Sequence, residues 1–183
     1  MMGAKNTDQN QKRDRRRPGG RGERKESEFD QRVIEIARVT RVMAGGKRMR
    51  FRACVVIGDK KQRVGMALAK GADVSLAVNK AVARAQKHMI RVPMVNETIP
   101  HAVSYKFKAA HVLLKPAPQG SGVVAGGPTR AVVELVGIKN IVIKMLGSRN
   151  KINNVQATME ALKSLKDIKP QIHGTRTPQP EAK

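Results

Sequence analysis

The spacing of apolar residues divides this chain into segments of different period. Residues 33–43 and 48–57 are β-prone runs joined by Ala44, Gly45, Gly46 and Lys47, and adjacent glycines supply the positive φ that a tight hairpin needs. In the second run Met49, Phe51, Ala53, Val55 and Ile57 alternate with Arg48, Arg50 and Arg52, which predicts a buried face backed by an arginine row. A turn at Gly58, Asp59, Lys60 and Lys61 leads to a third strand over 63–69. The period then changes. Val74, Ala77, Val78, Ala81, Val82, Ala85 and Met89 recur at three- and four-residue steps behind Asp73, the signature of a capped amphipathic helix. Its basic residues read as an ordinary wet face.

Val92-Pro93 and Ile99-Pro100 disfavour continued helix and place a domain boundary near residue 94. Strands are expected over 98–103 and 106–115, then a loop running from Pro116 to Gly127. A helix over 128–136 starts with Pro128 and stops at Gly137, as proline at a first turn and glycine past a last one prescribe. A strand over 141–146 and a helix over 154–166, carrying Val155, Met159, Leu162 and Leu165 on one side, complete a ββαβα half after a βββα half. Both make an α+β protein. Residues 1–28 have too few apolar side chains to offset ordering entropy and read as a basic flexible arm; residues 169–183 read as a flexible tail.

Composition adds a partner to this outline. The 183 residues carry 37 Lys and Arg against 14 Asp and Glu, and the excess lies in the foldable part: 14 basic and 3 acidic residues fall in 33–95, and 10 and 4 in 96–167. Such a surface repels itself unless a polyanion sits against it. Nucleic acid is the expected partner. Only Phe29, Phe51, Tyr105 and Phe107 are aromatic, too few for a single-strand stacking platform, so recognition should run through phosphates, sugars and duplex shape. The candidate contacts are Arg38, Arg41, Gly45, Gly46, Lys47, Arg48, Arg50, Arg52, Lys60, Lys61, Arg63 and Lys70. Arginines at alternate strand positions stand about 7 Å apart, close to the phosphate spacing along an RNA strand.

Other chemistry finds little support. Gly120-Ser121-Gly122-Val123-Val124-Ala125 fits a dinucleotide-loop pattern, but Gly126-Gly127-Pro128 interrupts the helix that should follow, and no acidic residue lies about twenty residues on to hold a ribose. The lysine and hydroxyl of an ATPase phosphate loop are missing too. His88, His101, His111 and His173 are scattered, and Cys54 is the single cysteine, which gives no metal site, no disulfide and no cofactor. Cys54 should pack as a small hydrophobe. No acid pair suggests general acid and base work, so the chain reads as a non-enzyme. Apolar runs are too short to span a membrane, the N-terminal residues lack the apolar stretch expected of a secretory signal, and a cytoplasmic setting is expected.

The order of pieces resembles one family. Thr40 to Arg48, then Phe51, Val55-Val56-Ile57-Gly58-Asp59 and Arg63-Val64-Gly65, are similar to the first domain of the bacterial S-five family of small-subunit ribosomal proteins. Thr98-Ile99-Pro100-His101, Leu113 to Pro118, Gly120 to Gly127, Arg130-Ala131-Val132, Gly147-Ser148 and Asn153 to Thr158 resemble its second domain. The likeness covers about 28–168. It implies a double-stranded-RNA-binding-like βββα domain over 29–93 and a ribosomal-type domain over 94–168 with a left-handed crossover. It also implies a structural role without catalysis or self-association, in which the protein binds small-subunit rRNA, ties the head of the subunit to its body and influences decoding accuracy. The implied neighbours are small-subunit proteins four and eight and the region where mRNA enters. The hairpin loop Arg41 to Arg48 would reach head RNA near the spectinomycin pocket. Gly120, Ser121, Gly122, Gly126, Gly127 and Arg130 would face protein four or RNA. The chain departs from the family at Met66, Ala67, Leu68 and Ala69, where alternating glycines are usual, and at Lys108, where glycine is common. A free-standing duplex-binding architectural protein is the alternative that charge and the first domain alone would allow. A small-molecule kinase is a more distant one, because the second domain's fold is shared with such enzymes.

Overall fold

Adjacent glycines set the first chain reversal. In the computed structural model, which describes residues 28–166, Gly45 and Gly46 have φ of +83° and +151°. They join β1 (Asp30–Met43) to β2 (Gly46–Gly58) in an antiparallel hairpin whose register runs from Met43 opposite Gly46 to Asp30 opposite Gly58. β3 (Arg63–Gly71) pairs antiparallel with β2, α1 (Val74–Lys87) follows, and a short β4 (Met89–Arg91) returns to pair with the start of β3. The sheet order is β1-β2-β3-β4. β4 escaped the sequence pattern because three residues hold no period, and Met89, expected on the helix, belongs to it.

An alanine seam attaches α1 to this sheet. Ala77, Ala81 and Ala85 are buried against Ala53, Val55, Ile57, Ala67 and Ala69, and small side chains on both sides let backbones approach closely. A Cβ on Gly65 would stand 2.4 Å from the Ala85 carbonyl oxygen, and one on Gly71 would stand 2.6 Å from the Ala77 nitrogen. Both glycines therefore set the helix-to-sheet distance. Asp73 takes the N-cap position with extended backbone, yet its side chain makes no capping hydrogen bond.

In the second half β5 (Val103–Phe107), β6 (Ala110–Pro116), β7 (Val123–Val124) and β8 (Ile141–Met145) form a sheet ordered β5-β6-β8-β7, with β7 parallel to β8. The strand expected over 98–103 is an irregular connector, and the one expected over 106–115 is split by a turn at Lys108 and Ala109. Lys108 adopts φ +52° there, the left-handed region that suits glycine; a lysine in that place conceals the turn from sequence. α2 (Gly127–Val136) connects β7 to β8 and ends on Gly137 at φ +93°. α3 spans Lys151–Lys163, starting earlier than its apolar stripe suggests, because Asn150 caps it by accepting from the Ile152 and Asn153 amides at 3.0 and 3.2 Å.

One core crosses both halves. Val56 and Val64 of the first sheet are buried with Val92, Ile99, Val112, Leu114, Val132, Ile141, Val155 and Leu162. The first sheet is thus covered on both faces, by α1 on one and by the second half on the other. Backbone bonds reinforce the junction: the Lys60 and Gln62 amides donate to the Leu135 and Val136 carbonyls, each at 3.0 Å. The expected N-terminal arm and C-terminal tail lie outside the described residues.

Candidate nucleic-acid interface

The hairpin outruns its support. β3 ends at Gly71, opposite Phe51, so residues 46–50 of β2 pair with β1 alone, and all five are exposed. Met49 is consequently 56% exposed and Val42 71% exposed, against the expectation that Met49 belongs to the buried face. Burial on β2 is complete only from Ala53 onward. Alternation fixes which side a residue faces; it cannot say where the core stops.

Register sorts the predicted cations. Arg41 lies opposite Arg48, Val39 opposite Arg50, Ala37 opposite Arg52, and Arg52 opposite Lys70. Cross-strand partners share a face, so Arg41, Arg48, Arg50, Arg52 and Lys70 are brought together on one side. Arg38, opposite Phe51, and Lys47, opposite Val42, occupy the other side. Like charges directly opposite each other are destabilising, and the Arg41 and Arg48 pair has no carboxylate within 4.0 Å among the described residues to relieve it. Arg52 meets Glu35 only at 3.9 Å. Among the described residues that is the one carboxylate paired with the five cations of this side.

Two adjoining grooves run along this side. Val39, Thr40, Arg41, Met43, Arg48, Arg50 and Lys70 line the first, of about 280 Å³. The second, of about 440 Å³, shares Arg50 and Lys70 and adds Arg52, Leu68, Lys80 and Arg84. Lys80 and Arg84 come from α1 around the open edge of β3, and Arg84 Nη1 donates to the Leu68 carbonyl at 3.3 Å. These two were missed in the sequence, where they read as the solvated face of a helix. Their four-residue spacing was visible, but only the tertiary packing turns that row toward the strand arginines.

Lys60, Lys61 and Arg63 lie at the opposite end of the sheet, the two lysines in the β2–β3 turn and Arg63 at the start of β3. Lys60 pairs with Asp30 at 2.5 Å. Arg63 Nε donates to Asp59 Oδ2 at 2.6 Å, and its guanidinium stands 5.7 Å from the centre of the Phe29 ring. Asp59 Oδ1 also accepts from the Lys61 and Arg63 amides at 2.7 and 3.0 Å. Burial alone would raise the Asp59 pKa; these hydrogen bonds and the Arg63 charge override it and hold the carboxyl below its ordinary value. This turn serves as a docking element between the halves.

The glycine-rich loop has an internal organiser that sequence reasoning missed. Asn140, 4% exposed, accepts from the amides of Gly120 and Gly122 at 3.1 and 3.2 Å through Oδ1, and these glycines have φ of +88° and +70°. Ser121 sits at the exposed tip, and its amide donates to the Pro118 carbonyl at 3.3 Å. At Gly126 a Cβ would stand 2.2 Å from Met145 Cε, the far end of a flexible and exposed side chain that can move aside, and at Gly127 it would meet nothing within 4 Å. Arg130 Nε donates to Glu134 Oε1 at 2.7 Å, while Arg32 from β1 takes the other oxygen at 2.5 Å. The Arg130 bond foremost, opposed by burial and aided by Arg32, keeps the Glu134 pKa low.

Among the described residues no group of three metal-ligating side chains forms. Cys54 is buried, and desolvation foremost, with Glu35 adding to it and Arg52 opposing, raises its pKa to about 11. Such a thiol is a poor nucleophile. Among the described residues no helix is long and apolar enough to cross a membrane.

A two-domain α+β scaffold that clusters cations on paired strands suits a polyanionic partner such as RNA. Comparison with protein families gives the same answer by an independent route. Residues 29–93 match the model described as ribosomal protein S5, N-terminal domain, and residues 105–176 match ribosomal protein S5, C-terminal domain. The chain belongs to the ribosomal protein S5 family, and is thereby an rRNA-binding structural constituent of the small ribosomal subunit.

Proposed function

We propose that this chain fastens small-subunit rRNA of the head to that of the body, with Arg41, Arg48, Arg50, Arg52, Lys70, Lys80 and Arg84 seated on phosphates. The observation that carries this reading is the Arg41 and Arg48 cross-strand pair, with no carboxylate within 4.0 Å of it among the described residues. A phosphate between the two guanidiniums would turn a repulsion into two charge-assisted contacts. Because the arginines project from a paired strand, little backbone entropy is lost on binding, and geometry takes the place of base reading. Membership of the S5 family supports the finer assignments: contact with small-subunit proteins four and eight, the Gly120 to Arg130 segment facing protein four, proximity to the region where mRNA enters, and an influence on decoding accuracy. The units 29–93 and 94–168 act here as two grips on one body.

Filter binding of the full chain to small-subunit rRNA across a salt series tests the interface. Each lost phosphate contact should reduce the slope of log affinity against log salt by about 0.7–0.9, so R41A/R48A/R50A should flatten it by about 2–3. An unchanged slope and affinity would refute the assignment. Equal affinity of the wild type for an unrelated RNA duplex would favour a free-standing duplex binder, and recovery at the top of a sucrose gradient, away from small subunits, would count against a ribosomal role.

A further inference from the structure

We propose that the outer face of the second sheet is a separate RNA-binding surface, distinct from the hairpin cluster, which seats the shallow groove and flanking phosphates of a double-stranded RNA segment. The register assigns the face. Ser104 and Lys106 of β5, His111, Leu113 and Lys115 of β6, Val142 and Lys144 of β8, and Val124 of β7 point away from α2 and α3, whose core takes the alternate residues Val112, Leu114, Ile141 and Ile143.

Three properties set this face apart from a plain wet surface. An antiparallel sheet with one solvated side places polar residues outward, yet here Leu113 and Val142 are half-buried and Val124 is 55% exposed. No Asp or Glu occurs in any of the four strands. Lys106, Lys115 and Lys144 form no ion pair among the described residues. Aliphatic positions interleaved with unpaired lysines point to a partner that offers apolar surface and negative charge together.

Geometry favours RNA over a protein. Protein interfaces are depleted in lysine relative to the rest of the surface and most depleted in charge at their centre, whereas these lysines alternate with Leu113 and Val142 across the middle of the face. From the register, Lys144 lies one strand and two residues from Lys115, about 8 Å away, and two strands and two residues from Lys106, about 12 Å away. Ser104 Oγ and His111 Nε2, 2.7 Å apart, place a polar pair between β5 and β6. A-form RNA presents a wide, shallow minor groove rimmed by phosphates and lined by ribose hydroxyls. A broad sheet face matches that shape: the lysines meet the phosphates, and the aliphatic side chains pack against sugars.

Hydroxyl-radical footprinting of naked small-subunit rRNA with the full chain tests the proposal. Wild type should protect two separate backbone segments. K106A/K115A/K144A should lose one of them and keep the other, with the salt slope shallower by about 2–3. The three Lys→Arg changes should preserve both, which separates loss of charge from a folding defect. R41A/R48A/R50A should remove the opposite segment, so failure of this surface and failure of the hairpin assignment give different patterns. An unchanged footprint and slope in the triple Ala variant would overturn the proposal. Protection of that RNA segment that arises only when another small-subunit protein is added would overturn it too, in favour of a protein partner.

Discussion

Gly58→Ala tests the junction between the halves at its tightest point. A Cβ there would stand 2.2 Å from the Leu135 carbonyl oxygen and 2.7 Å from its carbon. Separations under 3.0 Å are essentially never seen for real Cβ atoms, so strand and helix must part by at least about 0.8 Å. That movement falls on the bonds from the Lys60 and Gln62 amides to the Leu135 and Val136 carbonyls, each now 3.0 Å. Their net loss costs roughly 0.5–1.5 kcal/mol apiece, and inserting a methyl group into packed structure adds about 1–3 kcal/mol. A total of about 2–6 kcal/mol follows, which in a chain of this size lowers the melting temperature by roughly 4–24 °C. Gly127→Ala is the control, since its Cβ would meet nothing within 4 Å and its φ is not positive; it should melt within about 2 °C of wild type. Thermal unfolding followed by circular dichroism reads both. If Gly58→Ala melts with the control, the two halves are not clamped through this contact and the reasoning fails.

Asn140→Ala should free the Gly120 and Gly122 amides and speed their hydrogen exchange by at least tenfold, with a stability loss of about 1–3 kcal/mol; unchanged exchange would show that the loop holds itself. Asp59 and Glu134 both have lowered folded pKa values, so their contribution is fully present above the unfolded values near about 4 and is lost as pH falls through the folded ones. The urea midpoint of wild type should accordingly drop as pH falls below about 4, and D59N/E134Q should show a shallower drop. A parallel acid profile would remove both groups from the account. Cys54, with its pKa near 11 and its burial, should react with a thiol reagent at pH 8 only after denaturant is added; prompt labelling of native protein would contradict the packing.

Local rules carried much of the fold. The double glycine, the alternating β2 run and the three- and four-residue spacing in α1 each specify backbone geometry without help from distant residues, and α2 announces itself through Pro128 and Gly137. Elements that rely on partners were less visible. β4 and β7 are too short to hold a period and exist because a neighbouring strand supplies their hydrogen bonds. The β5–β6 turn is hidden by a lysine in a glycine conformation, and α3 begins on an asparagine cap that precedes its apolar stripe.

The interface divides along the same line. Arg48, Arg50 and Arg52 could be put on one face from strand parity, because side-chain direction alternates regardless of what the strand packs against, and Arg41 joins them through the cross-strand register. The paired Lys60 and Arg63, the Asn140 that shapes the glycine loop, and the turn of Lys80 and Arg84 into the arginine groove all depend on contacts between residues distant in the chain. Charge, periodicity and motif order are properties of the chain itself and fixed the α+β class, the partner chemistry and the family. Which cations remain without a counter-ion is a property of packing, since a carboxylate can neutralise only what the fold brings within a few ångströms of it.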